Sequence, residues 1–266
     1  MSDARIAPVD VTRVTREAST RDDDVLAVEE PLEIRVAWDG REKNISVTMR
    51  TPGDDYDLAA GFLFTEGMIA AATDVGEIRH WGSPNVVRVA LRDGVPLDAA
   101  RLDRHFYTTS SCGVCGKTSI DALRVVVQPL PAAAPPDAEV IRRLPALLEA
   151  GQSSFHRTGG LHGAAIVTAA GELLRIREDI GRHNAVDKVV GSLFREGASA
   201  PPGAILMVSS RASFELVQKA IVAGIGVLAA VGAPSSLAVD LARELNLTLL
   251  GFVRDDRFNV YAGEVR

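Results

Sequence analysis

Two cysteines stand in this chain of 266 residues, and they form one Cys112-Gly113-Val114-Cys115 motif. The reactive form of cysteine is the thiolate, which can act as nucleophile, redox partner or metal ligand. Gly113 and Gly116 let the backbone bend to present sulfur. Lys117 can lower a thiol pKa if its ammonium lies close. Ser110, Ser111, Thr118 and Ser119 offer hydrogen bonds to a thiolate or persulfide. Four readings remain open at this point. Half of a zinc site would need further ligands, and His156 and His162 are the closest pair, at a distance unlike common finger spacings. A dithiol–disulfide centre of thioredoxin type would open a helix within a βαβ unit, whereas this motif sits in a polar, Gly-rich stretch over 106–119. A sulfur carrier would hold a persulfide on an accessible thiol without metal. Two idle thiols are the fourth reading, although idle cysteine is usually buried.

A second group of polar residues follows three apolar runs. Ser209, Ser210 and Arg211 follow the first, Pro234, Ser235 and Ser236 the second, and Arg254, Asp255, Asp256 and Arg257 the third. If the runs are parallel strands, these residues meet at their carboxyl ends, where α/β sheets bind ligands. Serines there cap helices, and free helix N–H groups hold anions, so a phosphorylated ligand is expected. Arg254 and Arg257 suit pyrophosphate through forked hydrogen bonds. Pairing with Asp255 and Asp256 on the surface is the blander account. His183 and Asp187 are four apart on a predicted helix and can share a face. A helix-end histidine bonded to a nearby carboxylate is preferred over acid–base work. His162 follows Gly159-Gly160 and has no assigned role.

The elements that must position these groups follow from hydrophobic periodicity. Residues 1–24 are charged and lack periodicity, and are expected to be mobile. Leu32, Ile34 and Val36 alternate as a strand, Asp39-Gly40 turns the chain, and Ile45, Val47 and Met49 alternate on the return. Asp54 and Asp55 are expected to cap a helix from Tyr56 that Gly67 stops. Strands near 76–81 and 86–91 complete a β-rich region over 25–127. Residues 128–137 read as a Pro/Ala-rich link. Helical spacing resumes at Val140, Leu144, Leu147 and Leu148. From 164 onward, strands and helices alternate: strands at 164–167 and 173–176, a helix over 183–195, then 204–208, 214–223, 226–231, 237–245 and 247–253. This predicts an α/β domain over 138–266 with a mostly parallel sheet, its strands covered on both faces.

Composition sets outer bounds. The chain is 47% hydrophobic and 24% charged, with net charge -6. That argues against non-specific nucleic-acid binding, which needs a basic footprint. The longest apolar stretch, 220–234, carries several glycines and is too short to span a bilayer. No secretory signal is read in residues 1–30. The expectation is a cytoplasmic protein, with neither nucleic acid nor membrane as partner.

Longer strings narrow the choice. Thr109-Ser110-Ser111-Cys112-Gly113-Val114-Cys115-Gly116-Lys117 resembles the cysteine loop of the formate dehydrogenase accessory sulfurtransferases, the FdhD/NarQ family. So do Thr158-Gly159-Gly160-Leu161-His162 and the run Glu178-Asp179-Ile180-Gly181-Arg182-His183-Asn184-Ala185-Val186-Asp187-Lys188. A fourth segment resembles it from Ser210-Arg211-Ala212-Ser213-Phe214-Glu215 to Arg257-Phe258-Asn259-Val260-Tyr261. The likeness covers roughly residues 25–262 in order.

The resemblance implies that a cysteine desulfurase hands sulfur to Cys112 or Cys115 as a persulfide, with Cys112 the usual position. It implies transfer to molybdenum in a bis(molybdopterin guanine dinucleotide) cofactor bound for formate dehydrogenase. The family's cofactor segment falls on Phe252, Val253, Arg254, Asp255, Asp256 and Arg257. The implied fold is cytidine-deaminase-like in the α/β half. Deaminase chemistry is not expected, because no His-x-Glu occurs and the Cys-x-x-Cys precedes that half. A cofactor chaperone without sulfur transfer and a non-catalytic zinc-binding module are the competing functions. A homodimer would present two matching sites to the two pterin–guanine halves of the cofactor.

Overall fold

The computed structural model describes residues 3–97, 128–131 and 133–266, so Cys112, Cys115 and the stretch 106–119 lie outside the described residues. Much of the segment expected to be mobile is instead a hairpin. Strands β1 (Ile6–Val14) and β2 (Ser19–Ala27) pair antiparallel from Ile6↔Ala27 to Val14↔Ser19. Most of their side chains are exposed, so the strands lack the apolar alternation that marks a half-buried strand. Their backbone pairing supplies the order that side-chain burial does not, and the Thr15 side chain closes the turn by accepting from Ala18 N.

Strands β3 (Glu30–Trp38), β4 (Arg41–Arg50), β5 (Val75–His80) and β6 (Val86–Leu91) form a sheet in the order β4-β3-β6-β5. Leu32, Ile34 and Val36 point inward as their alternation requires, and all three are fully buried. The return strand departs from expectation. Ile45 is buried, but Val47 and Met49 are 43% and 44% exposed. The pairing register shifts between Ile34 and Arg35, skipping Ile45 on the facing strand. This bulge flips the faces of every residue after it. Thr48 and Arg50 therefore turn inward. The Arg50 guanidinium is held by Asp55 at 2.9 and 3.1 Å and by Asn85 at 2.9 Å. Helix α1 (Asp55–Thr65) covers the sheet. Neither expected aspartate caps it. Asp54 occupies the cap position with φ 55° and makes no side-chain cap, while Asp55 is spent on Arg50.

The larger sheet has the order β12-β11-β10-β9-β7-β8. Its strands are β7 (His162–Val167), β8 (Leu173–Asp179), β9 (Ile205–Val208), β10 (Val227–Ala230), β11 (Thr248–Gly251) and β12 (Asn259–Ala262). The three central strands β9, β10 and β11 are mutually parallel; β7 and β12 run against them, and β7 pairs with β8 in a hairpin. The sheet is thus mixed, with the parallel part where the long apolar runs lie. Ala165, Val167, Ile205, Met207, Val227, Ala229 and Leu250 pack on helix α2 (Ala138–Gly151). Ala164, Ile166, Leu206, Val208, Leu228 and Leu249 pack on the opposite layer. That layer is α4 (Arg182–Arg195), α5 (Phe214–Val222) and α6 (Ser236–Glu244). A short helix α3 (Ser153–Thr158) precedes β7.

The two sheets are joined through α1 and α4, which cross backbone against backbone. A Cβ on Gly61 would lie 1.9 Å from Asp187 O, and one on Gly191 would lie 1.9 Å from Asp57 O. Helix α1 is therefore buried on nearly all sides, between its own sheet and the α/β domain, which explains its weak amphipathic pattern. Among the described helices none is long and apolar enough to cross a membrane.

Candidate functional site at the carboxyl edge of the sheet

The eleven residues Glu178 to Lys188 are mostly occupied in holding the domains together. Lys188 Nζ sits 2.7 Å from Asp179 Oδ2 and donates to Thr51 O at 2.8 Å. Asp179 also accepts from Thr51 N, Gly181 N and Asn184 Nδ2. Asn184 Nδ2 reaches Met49 O at 2.8 Å, and its amide oxygen accepts from Thr48. Asp187 accepts from Thr65 at 2.7 Å and from Lys219 at 2.9 and 3.0 Å. Burial works against the Lys219 charge, but Asp187 and Glu66 outweigh it and hold the ammonium above the ordinary lysine range. Glu178 accepts from Ser154 N and Phe155 N and so caps α3. Charges buried this deeply survive only with such complete pairing.

Arg182 and His183 are left over from the motif, and they face the carboxyl edge of the sheet. His183 Nε2 lies 2.8 Å from Glu215 Oε2 in the first turn of α5. The expected helix-end histidine paired with a carboxylate is therefore present, but its partner is Glu215 and not Asp187. Asp187 lies on the buried side of α4. Ser213 is the N-cap of α5, yet its hydroxyl makes no cap bond and lies 3.5 Å from His183 Nε2. His162, at the start of β7, is half-buried. Burial lowers its pKa, as do the nearby charges of Arg182 and His183. Arg182 Nε is buried without a hydrogen-bond partner among the described residues. The Glu215 contribution was invisible in sequence, because it lies far from His183 along the chain and only the β9–α5 turn brings it back.

Reciprocal bonds tie the loops along this edge. Gly163 N donates to Ser209 Oγ and Ser209 N to Gly163 O, both at 3.0 Å. Gly232 N donates to Ser210 O, Phe252 N to Gly232 O and Ser235 N to Ala212 O. Ser235 caps α6 by accepting from Ala238 N at 3.2 Å. Gly251 allows this crowding: a Cβ there would lie 2.9 Å from both Pro234 Cδ and Tyr261 Cε2.

The segment from Phe252 to Arg257 is divided in its tasks. Val253 is fully buried in the core. Phe252 takes φ 52°, a left-handed conformation that non-glycine residues rarely adopt, and its ring is 43% exposed. Arg254 Nη1 donates to Val231 O at 2.8 Å and Val253 O at 2.7 Å, so this guanidinium shapes the turn. Arg257 pairs with Asp256 at 2.9 Å in the open. Asp255 is exposed. His156 Nε2 lies 2.8 Å from Glu149 O. Among the described residues no group of three or more His, Cys, Asp or Glu could hold a metal.

The family model described as FdhD/NarQ family matches residues 27–266. The chain belongs to the FdhD/NarQ family. It is 52% identical to the sulfur carrier protein FdhD of Nocardia farcinica, over 96% of this chain and 92% of that one. It is 50% identical to the sulfur carrier protein FdhD of Streptomyces avermitilis, over 96% and 93%. A crystal structure assigned as a formate dehydrogenase accessory protein of Desulfotalea psychrophila superposes with a TM-score of 0.73 at 25% identity, covering 97% of this chain and 98% of that one. The described residues thus share a mixed α/β architecture with an FdhD/NarQ-type fold.

Proposed function

We propose that the protein is a sulfur carrier serving formate dehydrogenase. A cysteine desulfurase hands sulfur to Cys112, or alternatively to Cys115, as a persulfide (R–S–SH). The sulfur then passes to the molybdenum of a bis(molybdopterin guanine dinucleotide) cofactor, which goes on to formate dehydrogenase. The observation that carries this reading is likeness over nearly the full chain to relatives named sulfur carrier proteins, at 52% identity for one of them. The turn after β11 is consistent with it: Phe252 and Arg257 stand exposed there, at a strand's carboxyl end, where α/β sheets bind ligands. The cytoplasm, where thiols stay reduced, suits such a carrier.

The test is incubation with a cysteine desulfurase and cysteine, followed by intact mass and peptide mapping. A sulfur-sized gain on Cys112 or Cys115, removed by reductant, is expected. With an active desulfurase confirmed, no gain at either cysteine would overturn the proposal in favour of a chaperone that only shelters the cofactor.

A further inference from the structure

Helix α4 begins at the carboxyl edge of the larger sheet, and its N-cap residue, Gly181, has no side chain to hold the first turn. Asp179, the last residue of β8, does that work. It accepts from Gly181 N at 2.8 Å and from Asn184 Nδ2 at 3.0 Å. Asp179 is fixed in turn from the four-stranded sheet. Thr51 spends its three polar atoms here: its N donates to Asp179 at 3.1 Å, its O accepts from Lys188 Nζ at 2.8 Å, and its hydroxyl oxygen accepts from Ile180 N at 3.2 Å. Thr51, Asp179 and Lys188 are at most 1% exposed. Thr48 donates to Asn184 Oδ1 at 3.1 Å, and Met49 O accepts from Asn184 Nδ2 at 2.8 Å. The backbone of Arg182 and His183 is thereby pinned on both sides, at Ile180–Gly181 and at Asn184.

The bulge in β4 makes this possible. Without the extra residue at Ile45, Thr48 would point outward, and Val47 and Met49 would line the core. The strand instead leaves those two apolar side chains exposed, a loss of burial that the sheet alone does not need. What the reversal provides is a hydroxyl aimed at the first turn of α4. We propose that Thr48 and Thr51 are positioning residues for the ligand edge of the α/β domain. They hold the start of α4 from the other sheet, so nucleotide affinity depends on two side chains that do not touch the nucleotide. A turn already ordered before binding spends less of the contact energy on being ordered. The proposal rests on the function given above, which puts the ligand at that edge.

The experiment is calorimetry of the full chain with GDP as the probe. Thr48→Val and Thr51→Val keep the side-chain shape and delete one hydrogen bond each. Each should weaken GDP binding about fivefold, the scale of one neutral hydrogen bond. Thr48→Ser and Thr51→Ser should restore wild-type affinity. Thr65→Val is the control: it deletes a buried junction bond of the same kind, to Asp187 at 2.7 Å, deeper along α4. It should lower the melting temperature and leave GDP affinity unchanged. The proposal is overturned if the valine variants at 48 and 51 melt natively and keep full affinity, if serine fails to restore it, or if Thr65→Val weakens GDP equally. If the valine variants do not fold, hydrogen exchange of the wild type decides. GDP should slow the amides of Thr51 and Ile180, and unchanged rates would overturn the proposal. Wild-type binding with no response at 48 and 51 rejects the positioning role alone. A wild type that binds no GDP removes the proposed ligand, and the positioning role with it.

Discussion

At the domain junction, Asp179, Asn184, Asp187 and Lys188 each have hydrogen-bond or ion-pair partners from the other domain and almost no exposure. At the carboxyl edge, Arg182 and His183 come from the same run of chain, yet Arg182 keeps a buried Nε without a partner among the described residues and His183 pairs with Glu215 instead of across the junction. The first region is closed in the native state. The second has donors left over. A charged motif is therefore a poor guide to chemistry until its paired members are separated from its unpaired ones. Buried charge that is fully paired serves the fold, while polar groups with spare hydrogen-bonding capacity can serve a ligand.

The largest effect should come from the helix crossing. Gly191→Val places atoms inside the backbone of α1, where even a Cβ would lie 1.9 Å from Asp57 O. Neither helix can move without opening both cores, so a loss above about 3 kcal/mol is expected, or no soluble protein. A native melting curve for this variant would disprove the tight crossing.

Lys219→Met should cost about 3 kcal/mol, because it strands the buried Asp187 carboxylate; urea unfolding measures it. The pH dependence has a definite sign. Lys219 is held above its ordinary value of 10.5 in the folded state, so its contribution is complete below that value and is lost as pH rises beyond it. Wild-type stability should fall more steeply on the alkaline side than that of Lys219→Met. Parallel curves would show that the pair contributes nothing.

The edge should respond more mildly, and unevenly. Ser235→Ala removes a formed N-cap and should cost about 1 kcal/mol. Ser213→Ala removes a hydroxyl that does not cap its helix, and should cost clearly less in the same thermal melts. Equal losses would mean that the Ser213 hydroxyl is structural. Smallest of all, Arg257→Ala breaks an exposed ion pair and should change stability by less than about 0.5 kcal/mol. Calorimetry with GDP would then show whether binding falls where stability does not. Unchanged affinity would remove Arg257 from the ligand site.

Much of the framework could be read from the chain because it depends on local repetition. Leu32, Ile34 and Val36 announce a half-buried strand, the apolar runs from 204 onward announce strands covered on both faces, and Asp39-Gly40 announces a turn. The hairpin of β1 and β2 escaped because it buries little and carries no apolar alternation. Val47 and Met49 were misplaced because one bulged residue reverses an alternation without changing its letters. The serines after β9 and β10 could be assigned to a common edge from strand order alone. The choice of Glu215 over Asp187 as the partner of His183 could not, since helix spacing offers only neighbours within a turn. Covalent sequence determines periodicity, turn chemistry and which residues must be buried. Only the packing of α4 against both α1 and α5 decided which charged residues became paired in the interior and which were left facing the edge, because that depends on distances between segments far apart in the chain.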